Sequence, residues 1–147
     1  MSTHAPSGME HHPDILALRE HAERVTSTTA GQGTEALAVC AGLFLAISPW
    51  VVGFSGFTGL AVSNLVLGIA YAVLMAGYGS AFGRTHARAW ACVAIGAWTV
   101  IAPWAVNGGA HVRRTILTNV ITGGVMTCLA LAAVGLVTAG MAARRGR

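Results

Sequence analysis

Histidine, cysteine and methionine are the side chains in this sequence best equipped to hold a metal, carry a redox step or act as a nucleophile. Their spacing supports none of these roles. His4, His11 and His12 could ligate a metal, but they lie in a Ser-, Pro- and His-bearing run that reads as a solvated tail. His86 and His111 fall between apolar stretches, and no histidine falls within one. A haem held between membrane helices needs an axial His or Met at depth. Met75 and Met126 do lie in apolar stretches, where methionine serves far more often in packing. Cys40, Cys92 and Cys128 are single residues with no Cys-x-x-Cys pair, and they read as small apolar side chains. The apolar stretches contain serines and threonines but no acid or histidine beside them, so a nucleophile, base and orienter cannot be assembled. The expectation is a chain with no catalytic residue, no metal site and no cofactor, and therefore not an enzyme.

A repeated phrase carries more information. Ile47-Ser48-Pro49-Trp50 returns as Ile101-Ala102-Pro103-Trp104, 54 residues later. Gly42 and Gly96 each stand seven residues before the proline. Downstream, Ser63-Asn64-x-x-x-Gly68 returns as Thr118-Asn119-x-x-x-Gly123, 55 residues later. A period of this length, with apolar sequence on both sides of each Pro-Trp, describes a duplicated helical hairpin. The chemistry of the motif is that of a broken backbone ladder. Proline has no N–H for the carbonyl four residues earlier, so Pro49 frees that of Leu45 and Pro103 that of Thr99. In hydrocarbon a free carbonyl costs several kcal/mol and must find a donor. Asn64 and Asn119, each about one turn inside the next helix, are candidate donors for their own repeat's carbonyl. The alternative is that both motifs line a shared cavity. Trp50 and Trp104 suit a membrane interface. Small residues at helical spacing (Ala38, Gly42 and Ala46; Gly68, Ala72 and Ala76; Asn119, Gly123 and Thr127) permit close helix approach, within one chain or between chains.

The elements that position these residues follow from charge. Charged residues make up 10% of the chain, 54% is hydrophobic and the mean hydropathy is +0.64, whereas a soluble domain carries about 25% charged residues. All five acids (Glu10, Asp14, Glu20, Glu23 and Glu35) lie in residues 1–35, which with two arginines have a formal charge of −3. Residues 36–147 hold seven arginines and no acid. Stretches 36–83, 89–112 and 115–143 are free of Asp, Glu, Lys and Arg. About 20 such residues cross the ~30 Å hydrocarbon layer, so four spans are expected, near 36–54, 60–82, 89–106 and 115–138. The fold class is all-α: a polytopic membrane protein of four transmembrane helices arranged as two parallel helical-hairpin repeats. A short amphipathic helix at about 13–26 precedes them, with Ile15, Leu18, Ala22 and Val25 on one face. A Ser/Thr/Gly linker is expected at 26–34. The domains read as a cytoplasmic segment 1–35, a membrane domain 36–140 with repeats at 36–83 and 89–138, and a basic cytoplasmic tail 141–147. The polar first 30 residues do not resemble a cleavable secretory signal.

With both termini inside, seven arginines face the cytoplasm and only Arg113 and Arg114 face out, as the positive-inside rule prefers. Each repeat holds an even number of spans, so both enter the membrane in the same direction, related by a pseudo-two-fold axis along its normal. Nine arginines without a lysine, and abundant Ala, Gly and Val, point to a GC-rich bacterial source. The spans lack the intramembrane charges that mark ion and proton pathways, and the basic balance points to lipid with no nucleic-acid partner.

Ser48-Pro49-Trp50 and Ala102-Pro103-Trp104, with Asn64 and Asn119 downstream, resemble the SPW repeat family of small bacterial and archaeal membrane proteins over about residues 36–140. The second copy has Ala where the family name has Ser. The resemblance implies the duplicated membrane architecture and no particular activity. The function expected is that of a structural, scaffold or accessory protein of the bacterial plasma membrane. It would be solvated by lipid and associate as a homo-oligomer or with a membrane or cytoplasmic protein. A small carrier or channel for a neutral or apolar solute, formed by an oligomer, is the alternative.

Overall fold

The computed structural model describes residues 13–17, 29–76, 85–107 and 113–146. A one-turn helix α1 covers 13–17. Four long helices follow: α2 (Thr29–Val52), α3 (Thr58–Ala76), α4 (Thr85–Asn107) and α5 (Arg113–Arg145). Four segments, Thr29–Val52, Thr58–Ala76, Ala87–Val106 and Arg113–Ala139, are long and apolar enough to cross a bilayer. The protein is a multi-pass membrane protein. Its outward faces agree with that. Leu43, Ile47 and Val51 on α2, Val62, Val66, Ile69 and Val73 on α3, and Leu117, Ile121 and Val125 on α5 are all exposed. Such apolar stripes belong against lipid, because soluble monomers rarely leave large contiguous apolar patches open to water.

One expectation needs correcting at once. α2 begins at Thr29, so the last residues of the supposed 26–34 linker are helical. Thr and Gly content alone suggested a linker, but extending an existing helix adds one backbone bond per residue fixed. Thr34 also donates its Oγ1–H to the Ala30 carbonyl at 2.8 Å within that extension. The histidines of the N-terminal run, residues 18–26 of the expected amphipathic helix, the 77–82 end of the second span and His111 lie outside the described residues.

The first hairpin closes in a way its sequence dictates. Gly53 has φ 86°, a left-handed conformation that side chains with a Cβ resist. The Phe54 N–H then reaches back to the Pro49 carbonyl at 2.9 Å, the six-residue bond of a Schellman stop. A tight turn follows, Phe57 N–H to Phe54 O at 3.0 Å, and Phe57 O accepts the first bond of α3 from Ala61 at 2.9 Å. Phe54 folds onto Leu60 and Ala102, with Val52 and Phe57 alongside.

The packing is a ring. α2 lies on α3 and α4 on α5, and the two hairpins join through α2 with α5 and α3 with α4. The diagonal pairs, α2/α4 and α3/α5, make no backbone approach. Corresponding helices of the two repeats therefore stand diagonally opposite, as a pseudo-two-fold axis through the bundle centre requires. Each hairpin is drawn together by its glycines. A Cβ on Gly68 would lie 2.5 Å from the Gly42 carbonyl oxygen and 2.6 Å from the Ala46 nitrogen. In the second repeat, a Cβ on Gly123 would lie 2.8 Å from the Gly96 carbonyl oxygen, and one on Gly96 would meet Thr127. The small-residue faces thus meet inside the chain.

Candidate functional site

Along its length the bundle interior changes character. At the end away from the Pro-Trp motifs, the core is apolar: Ala38, Leu45, Tyr71, Met75, Cys92, Met126, Ala130 and Ala133. Toward the Pro-Trp end the buried polar residues gather: Ser48, Asn64, Thr99, Thr115, Asn119 and Thr122. Thr115, Asn119 and Thr122 follow i, i+4, i+7 and so share one face of α5. Phe54, Leu60 and Ala102 form a separate apolar cluster at the hairpin end.

The centre of the polar layer is a pair of repeat equivalents. Asn64 Nδ2 donates to Asn119 Oδ1 at 2.7 Å, and both residues are fully enclosed, at 1% and 0% exposure. The bond crosses from α3 to α5, a diagonal that the backbones do not span. A residue near a two-fold axis meets its own copy, and here the two copies are asparagines, each able to donate and accept. Two turns further along, Tyr71 OH donates to the Met126 carbonyl at 2.6 Å, again from α3 to α5. Tyr71 and Met126 are themselves equivalents, 55 residues apart. These two cross-braces tie one repeat to the other.

This geometry overturns the expected capping. The Leu45 carbonyl freed by Pro49 is taken by Ser48 Oγ at 2.7 Å, within the same helix. Asn64 lies 3.5 Å from that hydroxyl and spends its shorter bond on Asn119. In the second repeat Ala102 has no hydroxyl with which to repeat the Ser48 bond, and Asn119 meets Asn64 through Oδ1 while its Nδ2 bonds no carbonyl. Thr99, whose carbonyl Pro103 frees, turns its own Oγ1–H to Ile95 O at 2.8 Å. The capping role therefore belongs to the motif serine of the first copy. Pro49 and Pro103 are buried, while Trp50 and Trp104 stand outward at 58% and 48% exposure. Each motif thus puts its proline toward the core and its indole toward the surroundings. Gly68 and Gly123 are buried at the helix crossings.

A family model, the SPW repeat domain, matches residues 32–133. The chain belongs to the SPW repeat family. The matched region takes in both Pro-Trp motifs, both asparagines and the four glycines at the crossings. No curated protein and no solved structure matches the chain. Within this SPW protein, three residues of the polar layer or its brace gave no signal in the sequence: Tyr71, Thr115 and Thr122. The signal that could have found Tyr71 and the asparagine pair is the duplication itself, since equivalents near the axis must face one another. Among the described residues no cluster of His, Cys, Asp and Glu is arranged to hold a metal.

Proposed function

We propose that this SPW protein is a non-enzymatic structural or accessory subunit of the bacterial plasma membrane, with both termini in the cytoplasm. The observation that carries this reading is the Asn64–Asn119 bond on the bundle axis. It joins the two repeats directly where a path through a single chain would have to run. The polar side chains of the layer are uncharged, and uncharged groups at depth suit fold specification better than ion or proton transfer. The Arg distribution supports the orientation. The acidic segment 1–35 would then offer a contact surface to a cytoplasmic protein, beside the option of self-association.

A carrier for a neutral solute is the second reading, favoured by the same polar layer. The two separate in one pair of measurements. The protein is purified in mild detergent and its bound proteins are identified with their stoichiometry, and it is also reconstituted alone into liposomes for swelling assays with uncharged solutes. A reproducible stoichiometric protein partner with liposomes no leakier than protein-free ones supports the structural reading. Solute-dependent swelling by the protein alone refutes it.

A further inference from the structure

Among the described residues, three polar atoms in the buried layer have no hydrogen-bond partner: Asn64 Oδ1, Asn119 Nδ2 and Thr115 Oγ1. They are not scattered. The first two sit on the two carboxamides joined by the 2.7 Å bond, one on either side of it. Thr115 precedes Asn119 by one helical turn, on the same face of α5, and is equally enclosed. Side-chain polar groups this deep are almost always paired, and hydrocarbon offers no solvent to relieve them. The three are also complementary in kind. Asn64 Oδ1 only accepts, Asn119 Nδ2 only donates, and the threonine hydroxyl does either.

We propose that this layer is a binding site for one neutral hydroxyl group, whose oxygen accepts from Asn119 Nδ2 and from the Thr115 hydroxyl and whose O–H donates to Asn64 Oδ1. Water has this chemistry, and so does the hydroxyl of a small uncharged alcohol. The site belongs to one repeat more than to the other. Thr115 takes the place that Leu60 holds in the first copy, 55 residues earlier. The duplication has diverged at the position that completes the set, while both asparagines are kept.

The test uses the full-length protein in perdeuterated lipid nanodiscs, labelled with 15N only at asparagine. The chain has three asparagines, Asn64, Asn107 and Asn119, and Asn107→Ser leaves only Asn64 and Asn119 to give side-chain amide signals. The expected result is a through-space cross peak from the Asn119 side-chain amide to the bound hydroxyl compound. A peak at the water frequency, of the sign given by a long-lived complex, identifies water. A peak to non-exchanging C–H protons of a co-purified molecule identifies an alcohol. Thr115→Val, which keeps the shape and removes the hydroxyl, should weaken that peak and lower the melting temperature. An Asn119 amide with no such peak overturns the proposal. So does Thr115→Val melting at or above the wild-type temperature, the result expected for removing a hydroxyl with no partner at all.

Discussion

Replacing Gly68 by alanine adds a single methyl group, yet the structure makes that methyl costly. It would sit 2.5 Å from Gly42 O, 2.6 Å from Ala46 N and 3.0 Å from Ala46 Cα. All three are backbone atoms, so no side-chain rotation relieves the contact. Restoring a carbon contact near its optimum requires α2 and α3 to part by about 1 Å, which also forfeits part of the dispersion along the crossing. Overpacking of this kind costs roughly 1–3 kcal/mol. The gain in helix propensity from Gly to Ala returns only about 0.5–1 kcal/mol. The net expectation is a loss of about 1 kcal/mol. Gly124 provides the control. It lies one residue beyond Gly123 on α5, and a Cβ there meets nothing within 4 Å. Gly124→Ala should therefore gain about 0.5–1 kcal/mol from propensity alone. The two variants make the same chemical change with opposite signs, and they should differ by the overpacking cost of about 2 kcal/mol, roughly thirtyfold in the folded-to-unfolded ratio. Titration with SDS from mixed micelles, followed by the fluorescence of the four tryptophans, measures both. If Gly68→Ala is as stable as the parent, the close α2–α3 crossing is wrong. If both variants shift together, propensity governs and the packing argument fails.

Three further outcomes follow from the polar layer and its brace. Asn64→Leu leaves Asn119 Oδ1 buried without its donor and should cost about 1–2 kcal/mol in the same titration. The double variant Asn64→Leu/Asn119→Leu should be less destabilised than the two single variants summed, and strict additivity would deny the direct bond. Tyr71→Phe should cost about 0.5–1.5 kcal/mol by losing the hydroxyl bond to Met126 O, with the ring packing retained; an unchanged midpoint would remove that brace from the structure. Ser48→Ala should lose about 1 kcal/mol because the Leu45 carbonyl loses its donor, whereas Ala102, its equivalent, has no such bond to lose.

The duplication, the number of spans and the close-packed faces were legible because they are one-dimensional signals. Offsets of 54 and 55 residues, runs without charge, and Gly or Ala every fourth residue can be counted along the chain. The partner of Asn64 was not legible in the same way. Its depth follows from its distance into α3, but its direction depends on how two hairpins are set around a common axis. Sequence separation favoured the carbonyl of Leu45, one hairpin away, while the ring arrangement placed Asn119 nearer and left Leu45 to Ser48. The start of α2 is hidden in the sequence because Thr and Gly are poor helix formers by local propensity, which a long helix continuing into them outweighs. Thr115 gave no signal because a lone threonine near a helix start is ordinary until its burial is known.

Two same-way-up hairpins in a bilayer make a side-specific prediction that cysteine accessibility can check in intact cells. In a background lacking Cys40, Cys92 and Cys128, single cysteines are placed at Ser55 between α2 and α3, at Ala87 early in α4, and at Arg113 at the start of α5. A membrane-impermeant maleimide should label the Ser55 and Arg113 positions from outside, and the Ala87 position only after the cells are opened. Ser55 and Ala87 labelled from one common side, or Ser55 and Arg113 from opposite sides, would contradict the parallel duplication.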